Sequence, residues 1–266
     1  MNFRIFFLLI YLLLLKVNLA QSFTLNNSIG STFKENEVKI SIANQSCSQI
    51  GLDSEEIKNL AEIAITKFWN TVPSSRLKLK IEGLVSLSQS FENEALCSTI
   101  ASDGECTINS NLAVTSGIVI SCNSNESNFR STQTLAVTAP NHFSGNTIIG
   151  SLILLNNRSD TLLATLNKEE MISVLAHEIG HAIGLGHSPV KDSLMYYSTV
   201  NFRNYLGADD FDGMTYLYPK KNIVSCGSIE NKSQTGLYFL INLILGFIIC
   251  YSLYLKLRLR FWHSLS

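Results

Sequence analysis

The chain has 266 residues, of which 46% are hydrophobic, and 20 Lys and Arg stand against 21 Asp and Glu. Its one basic cluster is confined to residues 256–260 ("KLRLR"), so no stripe is present on which a nucleic-acid backbone could lie. The length suits one globular domain of ordinary size with segments left over for export or a membrane.

The first 20 residues read as a secretory signal. Arg4 supplies a positive start, and the apolar run from Ile5 to Leu15 is too short to span hydrocarbon. Ala20 offers a small residue for cleavage. Asn18 fits the cleavage pattern poorly, which leaves an uncleaved anchor as the competing reading. Residues 21–35 follow as an N-terminal segment, and residues 36–219 as the folded domain.

Within that domain, alternation in "VKISIA" (Val38 to Ala43) predicts a half-buried strand. A helix follows in "DSEEIKNLAEIAITKFWN", where Asp53 and Glu56 form a capping-box pair and Ile57, Leu60, Ala61, Ala64 and Phe68 recur at helical spacing. "LKLKI" (Leu77 to Ile81) alternates again, and "GIVISC" (Gly117 to Cys122) is a continuous apolar run suited to a central strand. "TLAVTAP" is expected to end at Pro140 as an edge strand, with "SLILLNN" (Ser151 to Asn157) after it. Asn167 and Glu170 open a second helix carrying Met171, Val174, Leu175, Ile179 and Ala182, which should stop at Gly184. A third helix, "ADDFDGMTYLY", begins with acidic residues where the macrodipole favours them. The order of elements implies an α/β domain with one mixed sheet and flanking helices.

Beyond the domain, residues 220–235 turn polar and read as a stalk. Residues 236–255 are uncharged and apolar over about 20 positions, the length of one transmembrane helix. Lys256, Arg258 and Arg260 then place the tail, 256–266, in the cytoplasm and the domain outside. A lipid-anchor signal is the rival reading, but it would end in its hydrophobic stretch.

Of the six cysteines, Cys250 falls in the apolar run and the other five are exported, where disulfides persist. Cys97 and Cys106 bracket a polar loop and form the easiest pair. Cys47 and Cys122 each follow a strand and could meet at one edge of the sheet, which leaves Cys226 odd.

The chemistry concentrates in "HEIGHAIGLGH". His177 and His181 are four apart on the second helix, so they share a face one turn apart and can reach one Zn²⁺. Gly184 permits a sharp turn at the helix end, and His187 can return to the same ion from the loop beyond. Glu178 projects to the side, too far round to ligate but able to reach a water on the metal. Zn²⁺ lowers the pKa of such a water to about 7, so a neighbouring carboxylate can take its proton and later pass it to a leaving amine. A helix with surface histidines is the bland alternative. The fixed offsets of Gly184 and His187 count against it.

These residues resemble the zinc site of the metzincin peptidases and, within them, the matrixins. Ser188 directly after the third histidine matches the matrixin choice, and Met195 in "SLMYY" stands where that family has its Met-turn beneath the metal. "DDFDGMTYLY" is similar to the matrixin C-terminal helix, whose acidic start ties down the Met-turn loop. The resemblance implies a twisted, mixed five-stranded sheet with three helices and one catalytic Zn²⁺ on His177, His181 and His187. It gives Glu178 the part of general base, Met195 and Gly184 structural parts, and "TLAVTAP" the part of an edge that pairs antiparallel with an extended protein or peptide substrate. It also admits a Ca²⁺ ion. The family's further structural zinc needs more histidines, and only His142, in an expected exposed loop, and His263, in the tail, remain. The usual Pro-x-Tyr wall after the Met-turn is replaced, with Tyr197 and Thr199 in the corresponding places. Only about 17 residues separate Ala20 from Val38, so a thiol-bearing propeptide is not expected.

The expectation is a membrane-anchored, exported zinc endopeptidase. A metal-binding adhesion or recognition ectodomain, with catalysis dispensable, is the alternative.

Overall fold

The computed structural model describes residues 23–26, 30–102, 106–197 and 202–220. The expected signal peptide, most of the stalk, the apolar run 236–255 and the tail, with Cys226, Cys250 and His263, lie outside these residues. Among the described residues no helix is long and apolar enough to cross a membrane.

Among the described residues seven strands form: β1 (Glu37–Ala43), β2 (Lys78–Val85), β3 (Cys97–Ile100), β4 (Cys106–Ile108), β5 (Gly117–Asn123), β6 (Ala136–Ser144) and β7 (Thr147–Asn156). Five of them make one sheet in the order β2-β1-β5-β7-β6. The first four run parallel, and β6 lies antiparallel at the edge. The sheet is thus mixed and five-stranded, as expected. Strands β5 and β7 are buried on both faces, which accounts for their unbroken apolar runs. Ile118, Ile120, Ile153 and Leu155 turn to one core, and Val119, Leu152 and Leu154 to a second. Each such side chain contributes roughly 1.5–3 kcal/mol relative to exposure.

Helices α1 (Ser54–Lys67), α3 (Lys168–Ala182) and α4 (Ala208–Leu217) all feed the first core. Both expected capping boxes form. Asp53 Oδ1 accepts from Glu56 N at 2.8 Å and Glu56 Oε2 from Asp53 N at 2.9 Å. Asn167 and Glu170 repeat the exchange at 3.1 and 2.9 Å. Each satisfies two backbone donors that helix geometry leaves unpaired.

Several expectations need correction. The three expected helices all feed the first core. The second core is closed instead by a one-turn helix, α2 (Ser90–Asn93), and by residues leading into and out of the β3–β4 hairpin, none of which was expected. Hairpin strands of four and three residues are too short to show a period. Strand β6 does not stop at Pro140 but continues to Ser144, with irregular register from Pro140 to Phe143. A proline is tolerated there because β6 is an edge strand. His142 therefore lies on a strand rather than in a loop, exposed as expected, with Nδ1 3.1 Å from the Val114 carbonyl.

Cys97 and Cys106 are bonded across the hairpin, and Cys47 is bonded to Cys122. The second bridge lies not at a sheet edge but in its middle, where parallel neighbours β1 and β5 end.

Candidate metal centre

Helix α3 is buried along most of its length, which fixes the direction in which its histidines point. The rings of His177 and His181 lie 4.7 Å apart by centroid, and that of His187 lies 5.4 and 4.6 Å from them. One nitrogen from each comes within 4.8 Å of the other two.

The tautomers follow from the outer partners. His177 Nδ1 is 2.8 Å from the Leu194 carbonyl, and His181 Nδ1 is 2.8 Å from the Leu185 carbonyl. A carbonyl can only accept, so each Nδ1 carries the proton and each Nε2 presents a lone pair inward. Those two Nε2 atoms are 3.1 Å apart. Lone pairs facing at that distance repel, and a shared cation turns the repulsion into coordination. Two nitrogens on a tetrahedral Zn²⁺ at 2.0–2.1 Å would stand about 3.3 Å apart, so the donor set fits zinc. Burial pushes the His181 imidazole well below its ordinary pKa, and burial also lowers that of His187. The neutral form that binds metal is therefore the resting one.

The return of His187 depends on the end of α3. Gly184 has φ +108°, and a Cβ there would sit 2.7 Å from the Ser31 carbonyl oxygen. Any side chain would be both strained and crowded. Beneath the site Met195 is buried, and a Cβ on Gly180 would collide with its sulfur and with the Trp69 ring. Met195 thus packs against the helix backbone between the two histidines.

Helix α4 anchors this floor. The Asp210 carboxylate accepts from Leu194 N at 2.6 Å, Gly207 N at 2.7 Å and Met195 N at 3.1 Å, and from the Ser193 hydroxyl. Since the Leu194 carbonyl orients His177, the acidic start of α4 reaches the site through one peptide unit. Asp209 accepts from Ser188 Oγ at 2.5 Å, beside His187.

Glu178 is 8% exposed and lines one cleft with His177 and His187. Its Oε2 accepts from Thr138 Oγ1 on β6 at 2.5 Å. Burial raises its pKa, opposed by His177 and by the Thr138 hydroxyl. Sequence reasoning missed Thr138. The signal was present, since alternation puts it on the same face of the edge strand as Ala136, which turns to the core containing α3. The short segment Phe23–Asn26 was missed too. Asn26 donates to the carbonyls of His181 (2.8 Å, side chain) and Gly184 (2.9 Å, backbone), and Gly186 N donates to Thr24 O at 2.9 Å. The segment thereby holds the loop that returns His187. No period or motif marks it.

The structure thus brings all three histidines, Glu178, Gly184 and Met195 together. Tyr197 is 63% exposed beside the cleft, and Thr199 lies outside the described residues. A model of the matrixin peptidase family matches residues 32–219. The chain belongs to the matrixin family. It is similar to metalloendoproteinase 2-MMP of Arabidopsis thaliana, 43% identical over 61 residues that make up 22% of this chain and 16% of the relative. Stromelysin-2 of Rattus norvegicus is 38% identical over 71 residues, 23% of this chain and 15% of the relative. A putative matrix metalloproteinase of Trichoplusia ni ascovirus 2c is 48% identical over 46 residues, 17% and 9% of the two chains. The matrixin thus spans well under a fifth of each of these relatives.

Burial of His181 sets a pH dependence in the metal-free matrixin. Folded, its imidazole stays neutral; unfolded, it takes up a proton below about pH 6.5. Its depressed pKa contributes stability above that pH, and the contribution is lost as pH falls toward the folded value. Denaturant unfolding of the chelator-treated protein should show stability dropping between about pH 7 and 5, more steeply than in His181→Gln. Equal slopes would contradict the assignment.

Proposed function

We propose that this matrixin is a zinc-dependent endopeptidase, exported and held at a membrane by a single C-terminal span. The observation that carries the catalytic part is the convergence of three imidazole nitrogens beside a buried carboxylate, with a sheet edge alongside. His177, His181 and His187 would hold the ion. When bound, zinc supplies Lewis acidity that polarises the scissile carbonyl and eases deprotonation of the attacking water.

The remaining work falls to the chain. Thr138 holds Glu178 Oε2, which leaves Oε1 to receive the proton of the attacking water. The same carboxyl then delivers that proton to the departing amine. Burial favours the protonated form, so holding a proton between the two steps costs Glu178 little. Strand β6 pairs with β7 on one side, and its other edge is the place for an extended substrate to add a strand. One zinc per chain suffices for this chemistry, and calcium has no residue assigned to it.

The location rests on sequence. Residues 1–20 have the pattern of an export signal, and residues 236–255 that of a membrane span followed by basic residues.

The full chain in detergent should bind zinc and cleave peptides, with chelation abolishing cleavage and zinc restoring it. Glu178→Ala should keep its zinc and lose at least about 10²-fold in kcat. Turnover at the parent rate in that variant would overturn the mechanism. Zinc binding with no cleavage in the parent chain would favour a recognition role. In cells, the full chain should stay with membranes after alkaline washing, and truncation after residue 235 should release it. A full chain found in the wash would refute the anchor.

A further inference from the structure

The cleft beside the metal centre encloses about 320 Å³. His177, Glu178 and His187 line it together with Ser173, Phe202 and Arg203. Arg203 is placed there by its backbone, whose N–H donates to Ser173 Oγ at 3.0 Å, one turn of α3 before His177. One guanidinium nitrogen, NH2, donates to the Lys191 carbonyl. Arg203 is half-buried, and its Nε has no hydrogen-bond partner and is closed to water, so an incoming oxygen reaches it only as the side chain turns toward the cleft. Arg203 lines both this cleft, with Tyr196, and an outer hollow, with Tyr205.

Among the described residues no carboxylate forms an ion pair with Arg203. The nearby acids are engaged elsewhere. Asp192 accepts from the Tyr205 hydroxyl at 2.6 Å, Glu170 caps Asn167 at 2.9 Å, and Glu169 pairs with Lys67 at 3.4 Å. Residues 198–201 are Ser, Thr, Val and Asn, and add no acid. Among the described residues that line the cleft, Glu178 is the only carboxylate.

A guanidinium does not lose its charge in a protein. A buried charged donor without a partner is costly, and an acceptor brought to it recovers that cost. A site built to hydrogen-bond a substrate group also rejects an analogue that lacks the group. We infer that Arg203 is a specificity-determining residue, and that this cleft takes a substrate side chain ending in a carboxylate or amide oxygen, glutamate before glutamine, over an aliphatic one of the same length. The inference rests on the endopeptidase reading for its meaning but can be tested apart from it.

The test uses the full chain in detergent, loaded with zinc, and peptides matched except for Glu, Gln or Met at each position flanking the cleaved bond. At one of those positions kcat/KM should favour Glu over Met by at least about tenfold, a margin within reach of a charge-assisted hydrogen bond. Arg203→Met should bring the ratio to about one or below, and Arg203→Lys should keep part of it. Because the readout is a ratio within each variant, a smaller folded fraction does not move it. Peptide binding to Glu178→Ala, by fluorescence anisotropy, should show the same order and the same loss with Arg203→Met. Equal or better handling of Met by the parent chain at every position, or an unchanged ratio in Arg203→Met, would overturn the inference. If no peptide is cleaved but the binding order holds, the hydrolytic reading falls and the assignment of Arg203 stands. If neither cleavage nor a binding preference is seen, both fall.

Discussion

Two imidazole lone pairs face each other 3.1 Å apart at the centre of this domain, and the surrounding structure keeps them there. Neither ring can turn away without losing the carbonyl that holds its Nδ1. The two carbonyls belong to different pieces of chain. Leu185 follows the glycine turn that ends α3, while Leu194 belongs to the loop clamped by Asp210 from α4. A free cluster of this kind is unfavourable to assemble. The domain can hold it because the cost is spread over a buried helix, a four-donor carboxylate and the Phe23–Asn26 segment.

That arrangement explains why the sheet is shaped as it is. The antiparallel strand sits at the edge nearest the site, where it both supplies Thr138 to Glu178 and leaves one backbone edge unpaired by β7. The far edge, β2, carries alternating exposed charged residues such as Lys78, Lys80 and Glu82, which protect it from adventitious pairing. The hairpin and the one-turn α2 border a second core that touches neither the histidines nor Glu178, and the Cys97–Cys106 bridge ties that lobe. Both cores stabilise the sheet, while the chemistry draws on the first face alone.

Much of this was legible in the residues. Capping boxes at Asp53 and Asn167 marked two helix starts because side-chain reach over three residues is a local property. The offsets from His177 to His187 identified the site because coordination demands fixed geometry. What stayed hidden was non-local or too short for a period. The meeting of Cys47 and Cys122 in mid-sheet depends on strand order, the hairpin strands hold too few residues, and the run of the edge strand past Pro140 depends on how far β7 extends beside it. Thr138 and Asn26 matter through what lies across from them, which no spacing along the chain reveals.

The central claim concerns three nitrogens sharing one ion with a place left for solvent. Zinc K-edge X-ray absorption on the full chain tests it most directly. The account predicts one zinc per chain, bound by three imidazole nitrogens at about 2.0–2.1 Å with one further oxygen. A first shell with two imidazoles, or one containing sulfur, would contradict it.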